Sequence, residues 1–187
     1  MIILKNNLII CCSPISDSCS NKIKNGLIEF LKKRNENVEV RDLYALQFDP
    51  VITENDISSA FQGIYKEDVM KEQEYLKNAD NVFLIFPIYS SSMPALMKGY
   101  IDRVLSQNFA YSYNSDGSIN KLMTGKTIST FSPMGATLKY YEESGIKSAM
   151  NAIFSATFLF RGFEISSINY FGSDNREKML SELENLI

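Results

Sequence analysis

The sequence contains no histidine. The chain therefore cannot use a Ser-His-Asp or Cys-His catalytic group, a histidine metal ligand or a histidine general base, and we predict no metal site. Its three cysteines, Cys11, Cys12 and Cys19, form no Cys-x-x-Cys pair. This pattern does not indicate a disulfide framework, so a reduced, cytoplasmic protein is the simplest interpretation. An enzyme that lacks histidine, paired thiols and an evident pair of carboxylates is expected to take its chemistry from a cofactor.

Long apolar runs and blocks of like charge are also absent. No stretch approaches the ~20 apolar residues of a membrane span, and no small-residue cleavage site follows the amino-terminal run, so we predict neither a span nor a signal peptide. The formal net charge is −3, with acidic and basic residues interspersed, which does not indicate a nucleic-acid partner. A length of 187 residues favours one domain over 1–187.

The chain is organised around Val82 to Val104. Five consecutive apolar residues, Val82 to Phe86, stop at Pro87 and predict a strand that is buried on both faces. Ile88 to Met93 carries one tyrosine, three serines and no charge, which is typical of a loop. Pro94 suits the first turn of a helix. The apolar residues of that helix recur at spacings of three and four: Leu96, Met97, Tyr100, Ile101, Val104 and Leu105. Lys98, Asp102 and Arg103 fall mostly off its apolar face.

Four further runs predict strands, with helical patterns between them: Leu8 to Cys12, Val38 to Arg41, Lys126 to Phe131 and Glu164 to Tyr170. Alternation of strands and helices predicts an α/β fold, in which a parallel sheet lies between two helical layers. For five strands and right-handed crossovers, the expected order is 2-1-3-4-5.

The helices carry more specific expectations. One starts near Ser20 and contains Gly26, which a close approach of the helix to the sheet would explain. A short helix plus loop is expected over Thr53 to Tyr65. A helix over Lys66 to Ala79 and another over Tyr140 to Phe154 follow from their spacings, and Asp174 with Glu177 resembles a capping box before the last helix. The residues expected to point inward are Val69, Met70, Gln73 and Leu76, then Ile146, Met150, Ile153 and Phe154, and finally Met179, Leu180, Leu183, Leu186 and Ile187.

Two loops are candidates for ligand binding because both follow central strands. Ser13 to Ser20 precedes a helix, whose free N–H groups and the hydroxyls of Ser18 and Ser20 could hold a phosphate. The alternative is that these serines only cap the helix. At the switch point of this sheet order, the first loop meets the Pro87 to Met93 loop. A phosphorylated ligand with a flat ring, such as FMN, would fit both loops, although plain connections are possible.

Two further features each allow two interpretations. The helix amino terminus could lower the pKa of the Cys19 thiol, or cysteine could stand there because it is small. The aromatic group Phe109, Tyr111 and Tyr113 could form a recognition loop, or it could be a hydrophobic cluster under a loop.

A family resemblance rests on long motifs around the central helix. Phe86-Pro87-Ile88-Tyr89, Met93-Pro94-Ala95, Lys98 to Val104 and Phe109-Ala110-Tyr111 resemble the signature of flavodoxin-like NAD(P)H:quinone oxidoreductases. That group includes FMN-dependent azoreductases and FAD-dependent mammalian quinone reductases. Arg41 to Tyr44, Phe48 to Pro50 and Gly162 to Glu164 are similar to other parts of the family pattern, so the resemblance covers nearly the whole chain.

The resemblance implies a flavodoxin-like three-layer sandwich and a homodimer. It also implies FMN as cofactor, with FAD as an alternative, NADH or NADPH as co-substrate, and a small-molecule electron acceptor. The implied cofactor-binding residues are Ser13, Ser18, Cys19 and Ser20 at the phosphate, Pro87, Ile88, Tyr89 and Ser90 at the ring, and Ser132, Pro133, Met134 and Gly135 at its pyrimidine edge. Candidates for the substrate pocket are Phe109, Tyr111 and Tyr89, and no residue is assigned as catalytic. Many members have Thr-Gly-Gly where this chain has Ser132 to Gly135, and Pro133 lacks a backbone donor.

The resulting hypothesis is a flavin-dependent NAD(P)H oxidoreductase. Hydride would pass through flavin N5 to quinones, azo compounds or similar acceptors in a ping-pong cycle. One alternative is a flavodoxin-like carrier of single electrons, which a net charge of −3 disfavours because flavodoxins are usually more acidic. Another is an ancillary regulatory subunit of a potassium efflux system, as some relatives are.

Overall fold

A computed structural model describes residues 4–186 and contains a five-stranded parallel sheet with helices on both faces. The described part of the chain contains seven strands: β1 (Asn6–Cys11), β2 (Asn37–Asp42), β3 (Asn81–Ile85), β4 (Tyr111–Tyr113), β5 (Ile119–Lys121), β6 (Thr127–Pro133) and β7 (Glu164–Phe171). The large sheet has the order β2-β1-β3-β6-β7. This confirms the predicted order 2-1-3-4-5, and β7 is an edge strand as expected. Strands β4 and β5 form a separate antiparallel hairpin, which the sequence analysis did not predict.

Residues 4–186 contain seven α-helices: α1 (Cys19–Lys33), α2 (Glu54–Ala60), α3 (Glu67–Asn78), α4 (Ala95–Val104), α5 (Leu138–Glu143), α6 (Ile146–Leu159) and α7 (Arg176–Ser181). A short 3-10 helix follows at Leu183–Leu186. None of the helices within residues 4–186 is both long enough and apolar enough to cross a bilayer.

The central strands are buried because both faces of the sheet are covered. One face carries Leu8, Leu84 and Ile128 and packs against residues of α3, α4 and α6. The opposite face carries Ile9, Phe83 and Phe131 and packs against α1 and the carboxyl-terminal segment. The continuous apolar runs in the sequence reflect this burial on two sides.

Two charged residues lie in the core, where the sequence analysis did not place them. Arg103 is 3% exposed, although it was assigned mostly off the apolar face of its helix. In α3, Met70 is half exposed, and Glu72 occupies the inward position instead. Glu72 is buried because it pairs with Arg41, which donates from Nε to Glu72 Oε2 at 3.0 Å.

The helix predicted over Tyr140 to Phe154 is two helices. Gly145 adopts a left-handed conformation, with a φ of 75°, and separates α5 from α6. Within α6 the buried residues, Met150, Phe154 and Phe158, recur every four positions, and Ile153 lies beside this stripe and is half exposed.

Two expectations near the carboxyl terminus are also corrected. Asp174 does not form a capping box with Glu177, because its carboxylate accepts from the N–H of Leu138, at the start of α5, at 2.7 Å. A Cβ on Gly26 would lie 2.7 Å from Leu183 Cδ2, so the 3-10 helix, and not the sheet, approaches this glycine. Of the predicted final stripe, Leu183 is buried, and Ile187 lies outside the described residues.

Candidate functional site

Three loops meet at the carboxyl edge of the sheet, where β1, β3 and β6 end. The loop after β1 leads into α1, the loop after β3 leads into α4, and the loop after β6 leads into α5. Backbone hydrogen bonds tie the strand ends together, because Cys12 N–H donates to the Ile85 carbonyl at 2.8 Å and Ile88 N–H donates to the Pro133 carbonyl at 2.8 Å. The predicted convergence of the first two loops is therefore present.

The first loop is folded by its own polar side chains. Ser18 is the N-cap of α1, and its hydroxyl accepts from Asn21 N–H at 3.2 Å. The Ser13 hydroxyl lies 2.9 Å from that of Ser18. Asn21 donates from its side chain to the Ile15 carbonyl at 2.8 Å, which fixes the middle of the loop. Capping by Ser18 is therefore real, and it coexists with two serine hydroxyls that lie side by side at the helix start.

The electrostatics at the start of α1 suit an anion. The first turn of α1 carries no acidic residue, and the first N–H groups of a helix have no partner within it. Lys22 and Arg176 are close enough to act on the Cys19 thiol, and each lowers its pKa. Burial is the larger effect and raises the pKa of Cys19 above its ordinary value, so an activated thiolate is not supported. A phosphate here would meet hydroxyls and free N–H groups, beside Lys22, which lies 3.9 Å from Asp17.

The loop after β3 contains a tight turn with uncharged side chains. Tyr89 and Ser92 exchange backbone hydrogen bonds of 3.0 Å in both directions. The central residues, Ser90 and Ser91, have φ values of 48° and 61°, as a type I′ turn requires. A left-handed conformation costs a residue other than glycine about 1–2 kcal/mol. The turn leaves the Tyr89 ring half exposed above the sheet edge, while Ile88 is buried.

The segment after β6 differs from the predicted loop. Ser132 and Pro133 belong to β6, and both are buried, as is Met134. Gly135 is the first exposed residue. The Ser132 hydroxyl is buried and has no hydrogen-bond partner among residues 4–186. Of the four residues from Ser132 to Gly135 that were predicted to contact the ligand, only Gly135 is exposed.

Pro133 has no backbone N–H, and the missing donor affects the hydrogen bonding of the sheet. A residue in a strand directs its N–H and C=O groups toward the same neighbouring strand. The Pro133 carbonyl accepts from Ile88, which follows β3, so an N–H at position 133 would also face β3. The departure from Thr-Gly-Gly therefore removes a possible ladder hydrogen bond to β3 at the last residue of β6.

The carboxyl-terminal segment holds the third loop in place. Arg176 Nη2 donates to the Met134 carbonyl at 2.7 Å, and Ser173 N–H donates to the Ala136 carbonyl at 3.1 Å. Asp174 accepts from Leu138 N–H. Backbone donors lower the pKa of Asp174, first of all that of Leu138. These contacts link residues that are about 40 positions apart, and no local pattern in the sequence indicated them.

Two tyrosines at this edge were not assigned to the site from the sequence. Tyr44 follows β2, and its pKa is raised by burial and by the nearby Cys12 and Tyr89. Tyr140 lies in the first turns of α5 and is 55% exposed. The motif Arg41 to Tyr44 includes the first of them, Tyr44, and could have indicated that it belongs to the site.

The aromatics Phe109 and Tyr111 lie at the opposite edge of the sheet. Met123 follows the β4–β5 hairpin, and its N–H donates to the Arg161 carbonyl at 2.9 Å. Arg161 lies three residues before the start of β7. The Tyr111 ring packs against Phe160, with 5.1 Å between ring centroids. A single chain therefore brings Tyr89 to the candidate site and does not bring Phe109 or Tyr111 there.

The carboxyl edge can hold a phosphorylated ligand with a flat ring. The start of α1 offers donors for an anion, and the Tyr89 turn together with Gly135 offers an uncharged surface beside them.

Comparisons with known proteins agree with this architecture. A family model described as the flavodoxin-like fold matches residues 5–186. A protein of Haemophilus influenzae with the name uncharacterized NAD(P)H oxidoreductase is 31% identical over 185 residues, with 95% of this chain and 91% of that protein covered. NAD(P)H dehydrogenase [quinone] 1 of Cavia porcellus is 30% identical over 186 residues, with 88% of this chain and 67% of that protein covered.

A solved structure has the same fold. The NAD(P)H:quinone oxidoreductase from Methanothermobacter marburgensis superposes with a TM-score of 0.88 at 24% identity, and the match covers 98% of this chain and 97% of that chain.

Proposed function

The chain belongs to the flavodoxin-like family that matches it over 5–186, and we propose that it is a flavin-dependent NAD(P)H oxidoreductase that reduces quinones, azo compounds or similar small acceptors. The observation that carries this proposal is the carboxyl edge, where an anion cradle and an uncharged surface adjoin. The names of its relatives, an NAD(P)H oxidoreductase and a quinone dehydrogenase, support the reaction class.

FMN is the cofactor that we assign to this edge. Its phosphate would meet the Ser13 and Ser18 hydroxyls, which lie 2.9 Å apart, and the free N–H groups at the start of α1. Ser20 is only 2% exposed as a whole residue, so we place it behind the cradle that Ser13 and Ser18 form. The compact, serine-rich first loop favours FMN over FAD.

The ring would lie against the second and third loops. Pro87, Ile88, Tyr89 and Ser90 would line one side, and the Gly135 backbone would face the pyrimidine edge. Bound flavin supplies hydride transfer between NAD(P)H and an acceptor. The chain's own part is orientation, because the turn at Ser90 and Ser91 is held rigid by the Tyr89–Ser92 hydrogen bonds. One pocket for both substrates predicts ping-pong kinetics.

A homodimer completes this proposal. Phe109 and Tyr111 lie at the edge away from the cradle, so they do not reach a flavin bound by their own chain. They could cover only a flavin that a second copy of the chain binds. We therefore place the substrate pocket between two protomers, with Tyr89 from one and the aromatic pair from the other.

Absorbance spectra test the cofactor and the reaction together. The purified protein is loaded with FMN or with FAD, desalted, made anaerobic and titrated with NADPH or NADH, and a quinone is then added. We expect retained FMN whose visible absorbance bleaches with one equivalent of NAD(P)H and returns with one equivalent of quinone.

The other outcomes separate the alternatives. Flavin that stays bound, ignores both nicotinamides and accumulates a one-electron form on chemical reduction would indicate an electron carrier. Failure to retain either flavin would overturn the proposal and favour a regulatory subunit.

A further inference from the structure

Helix α6 is apolar on two opposite faces, and the described chain covers only one of them. Met150, Phe154 and Phe158 are buried against the sheet. The solvent-exposed face carries small and aliphatic residues: Ala149, Ala152, Ile153, Ala156 and Leu159. The exposed fractions of Ile153 and Leu159 are 52% and 46%. A surface helix normally turns polar and charged residues to solvent, so we expect another molecule to cover this face.

The other long helices of the described chain have ordinary polar surfaces. Most exposed residues of α1 and α3 are charged, among them Lys22, Glu29 and Lys32 in α1 and Lys71, Glu74 and Lys77 in α3. In α6 the only charged residue is Lys147, which pairs with Glu142 of α5 at 2.6 Å. Covering the outer face of α6 would therefore bury no unpaired charge, which is the main cost of closing an interface.

The helix connects the two edges of the sheet. Strands β6 and β7 are parallel, so the chain between them returns from the carboxyl edge to the amino edge, and α6 is the longest segment of that return. It begins at Ile146, toward the flavin loops, and ends at Leu159, next to Phe160. The Phe160 ring lies 5.1 Å from the Tyr111 ring. The exposed face thus runs from the proposed flavin edge to the aromatic residues that we place over a partner's flavin.

A twofold axis through the middle of this face would join the two ends correctly. Rotation about such an axis places two copies of α6 side by side and antiparallel, so the Tyr111 end of one chain lies at the carboxyl edge of the other. The midpoint of α6 falls between Ala152 and Ile153, and residue 152 would lie close to its own symmetry mate. Alanines at 149, 152 and 156 leave room for an interaxial distance near the lower end of the usual range of roughly 8–10 Å.

The area of α6 alone would not hold a dimer together. A helix of this length presents roughly 20 Å by 10 Å of surface, whereas a stable interface buries about 800 Å² per partner. Exposed aromatic residues extend the surface at both ends. Tyr113 is 57% exposed beside Tyr111, and Tyr140 and Tyr89 are 55% and 46% exposed at the carboxyl edge. In the antiparallel arrangement each of these ends meets the opposite end of the partner, so both are buried twice.

We propose that two copies of the chain associate through the outer face of α6, antiparallel about a twofold axis near Ala152. This inference rests on the proposed homodimer with a shared substrate pocket, and it names the surface that forms the dimer. A second copy fits better than an unrelated partner because the same rotation that covers α6 also delivers Tyr111 to a flavin edge.

Cross-linking between cysteines tests the position of the axis. Cys11 and Cys12 are buried, and Cys19→Ala removes the remaining accessible thiol. In that background Ala152→Cys should give a cross-linked dimer with a short bifunctional thiol reagent. Asn25→Cys is the matched control, because residue 25 is exposed in the middle of α1, on the opposite face of the sheet, and it should stay uncross-linked. Equal cross-linking of the two variants would overturn the proposal.

Measurement of mass in solution tests the contact itself. The wild-type protein should have twice the chain mass of 21.2 kDa. Ala152→Glu keeps a good helix former at an exposed position, so it should fold with unchanged circular dichroism. It should weaken dimerisation at least about 100-fold, because two carboxylates would be buried side by side. Asn25→Glu introduces the same residue on α1 and should remain a dimer.

The outcomes separate this inference from the proposed function. A monomeric wild type, or an Ala152→Glu variant that stays dimeric, would overturn the α6 interface whether or not flavin binds. The Ala152→Glu monomer should retain FMN, since the cradle lies within one chain, and lose quinone reduction. Failure of the wild type to retain flavin would contradict the proposed function and leave the mass and cross-linking results as the measure of the interface.

Discussion

The hydroxyl groups of Ser13 and Ser18 lie 2.9 Å apart at the start of α1. Ser18 also caps the helix, so the same atom shapes the loop and faces the proposed phosphate. A substitution at position 18 can therefore separate folding from binding.

We predict that Ser18→Asp folds normally and loses FMN. Aspartate caps a helix as well as serine does, but its charge would repel the phosphate, which lowers affinity by about 100-fold or more at close range. Ser18→Asn is the matched control, because it caps without a charge, and it should lose less than about tenfold. Quenching of FMN fluorescence measures both affinities. Equal losses in the two variants would contradict a phosphate at this helix.

Two glycines allow a test of the proposed ring position. An added Cβ at Gly135 meets no atom within 4 Å, whereas at Gly99 it would lie 2.2 Å from the Pro50 carbonyl oxygen. We expect Gly135→Ala to leave Tm within about 2 °C and to weaken FMN binding, because the methyl group would occupy the space of the ring. Gly99→Ala should lower Tm by several degrees through overpacking of roughly 1–3 kcal/mol. Calorimetry and FMN titration of both variants give the comparison. Unchanged FMN affinity in Gly135→Ala would place the ring elsewhere.

The location of Tyr111 predicts complementation between chains. A Ser18→Asp chain retains Tyr111 but lacks the phosphate cradle, and a Tyr111→Ala chain has the opposite defect. If the site is shared, equal mixing of the two inactive chains after unfolding and refolding should restore about a quarter of the wild-type activity, since half of the dimers are mixed and each of these has one intact site. Quinone reduction by the refolded mixture measures this. A mixture that stays inactive, although it contains mixed dimers by mass spectrometry, would contradict a shared site.

The hydrophobic pattern was sufficient to predict the five strands of the large sheet, because both faces of a doubly covered sheet must be apolar. Their order followed from the alternation with helices and from right-handed crossovers, whereas the β4–β5 hairpin was not predicted. The pattern was insufficient where a charge is buried. The inward residues of α3 are Val69, Glu72, Gln73 and Leu76, which have regular helical spacing, but the sequence does not reveal that Arg41 neutralises Glu72 from 31 positions away. The capping of α1 by Ser18 was predictable because it is local. The contacts of Asp174 with Leu138 and of Arg176 with Met134 were not predictable, because these partners are distant in the chain.

The pair of Arg41 and Glu72 leads to a stability prediction. Removal of one partner from a buried ion pair costs about 3–5 kcal/mol, because the other charge stays buried and unpaired. Glu72→Gln should therefore lower the free energy of unfolding by that order. Glu74→Gln is the matched control two positions away, where the carboxylate is exposed and 4.0 Å from Lys77, and it should change stability by less than about 0.5 kcal/mol. Urea unfolding measures both. Similar losses in the two variants would mean that the buried pair contributes nothing specific.

Cys11 and Cys12 predict a loss of stability at high pH. Burial raises the pKa of both thiols to about 12, above the ordinary value of 9.0 that applies in the unfolded chain. Between these values the folded state keeps protons that the unfolded state has lost, so the free energy of unfolding falls as pH rises, by about 1.4 kcal/mol per pH unit for each thiol. The double variant Cys11→Ala/Cys12→Ala should show a shallower decline between pH 9 and 11. Cys19→Ala, at a less buried thiol, should change the slope less. Urea unfolding at a series of pH values measures the slopes, and parallel curves for wild type and the double variant would show that these thiols do not control alkaline stability.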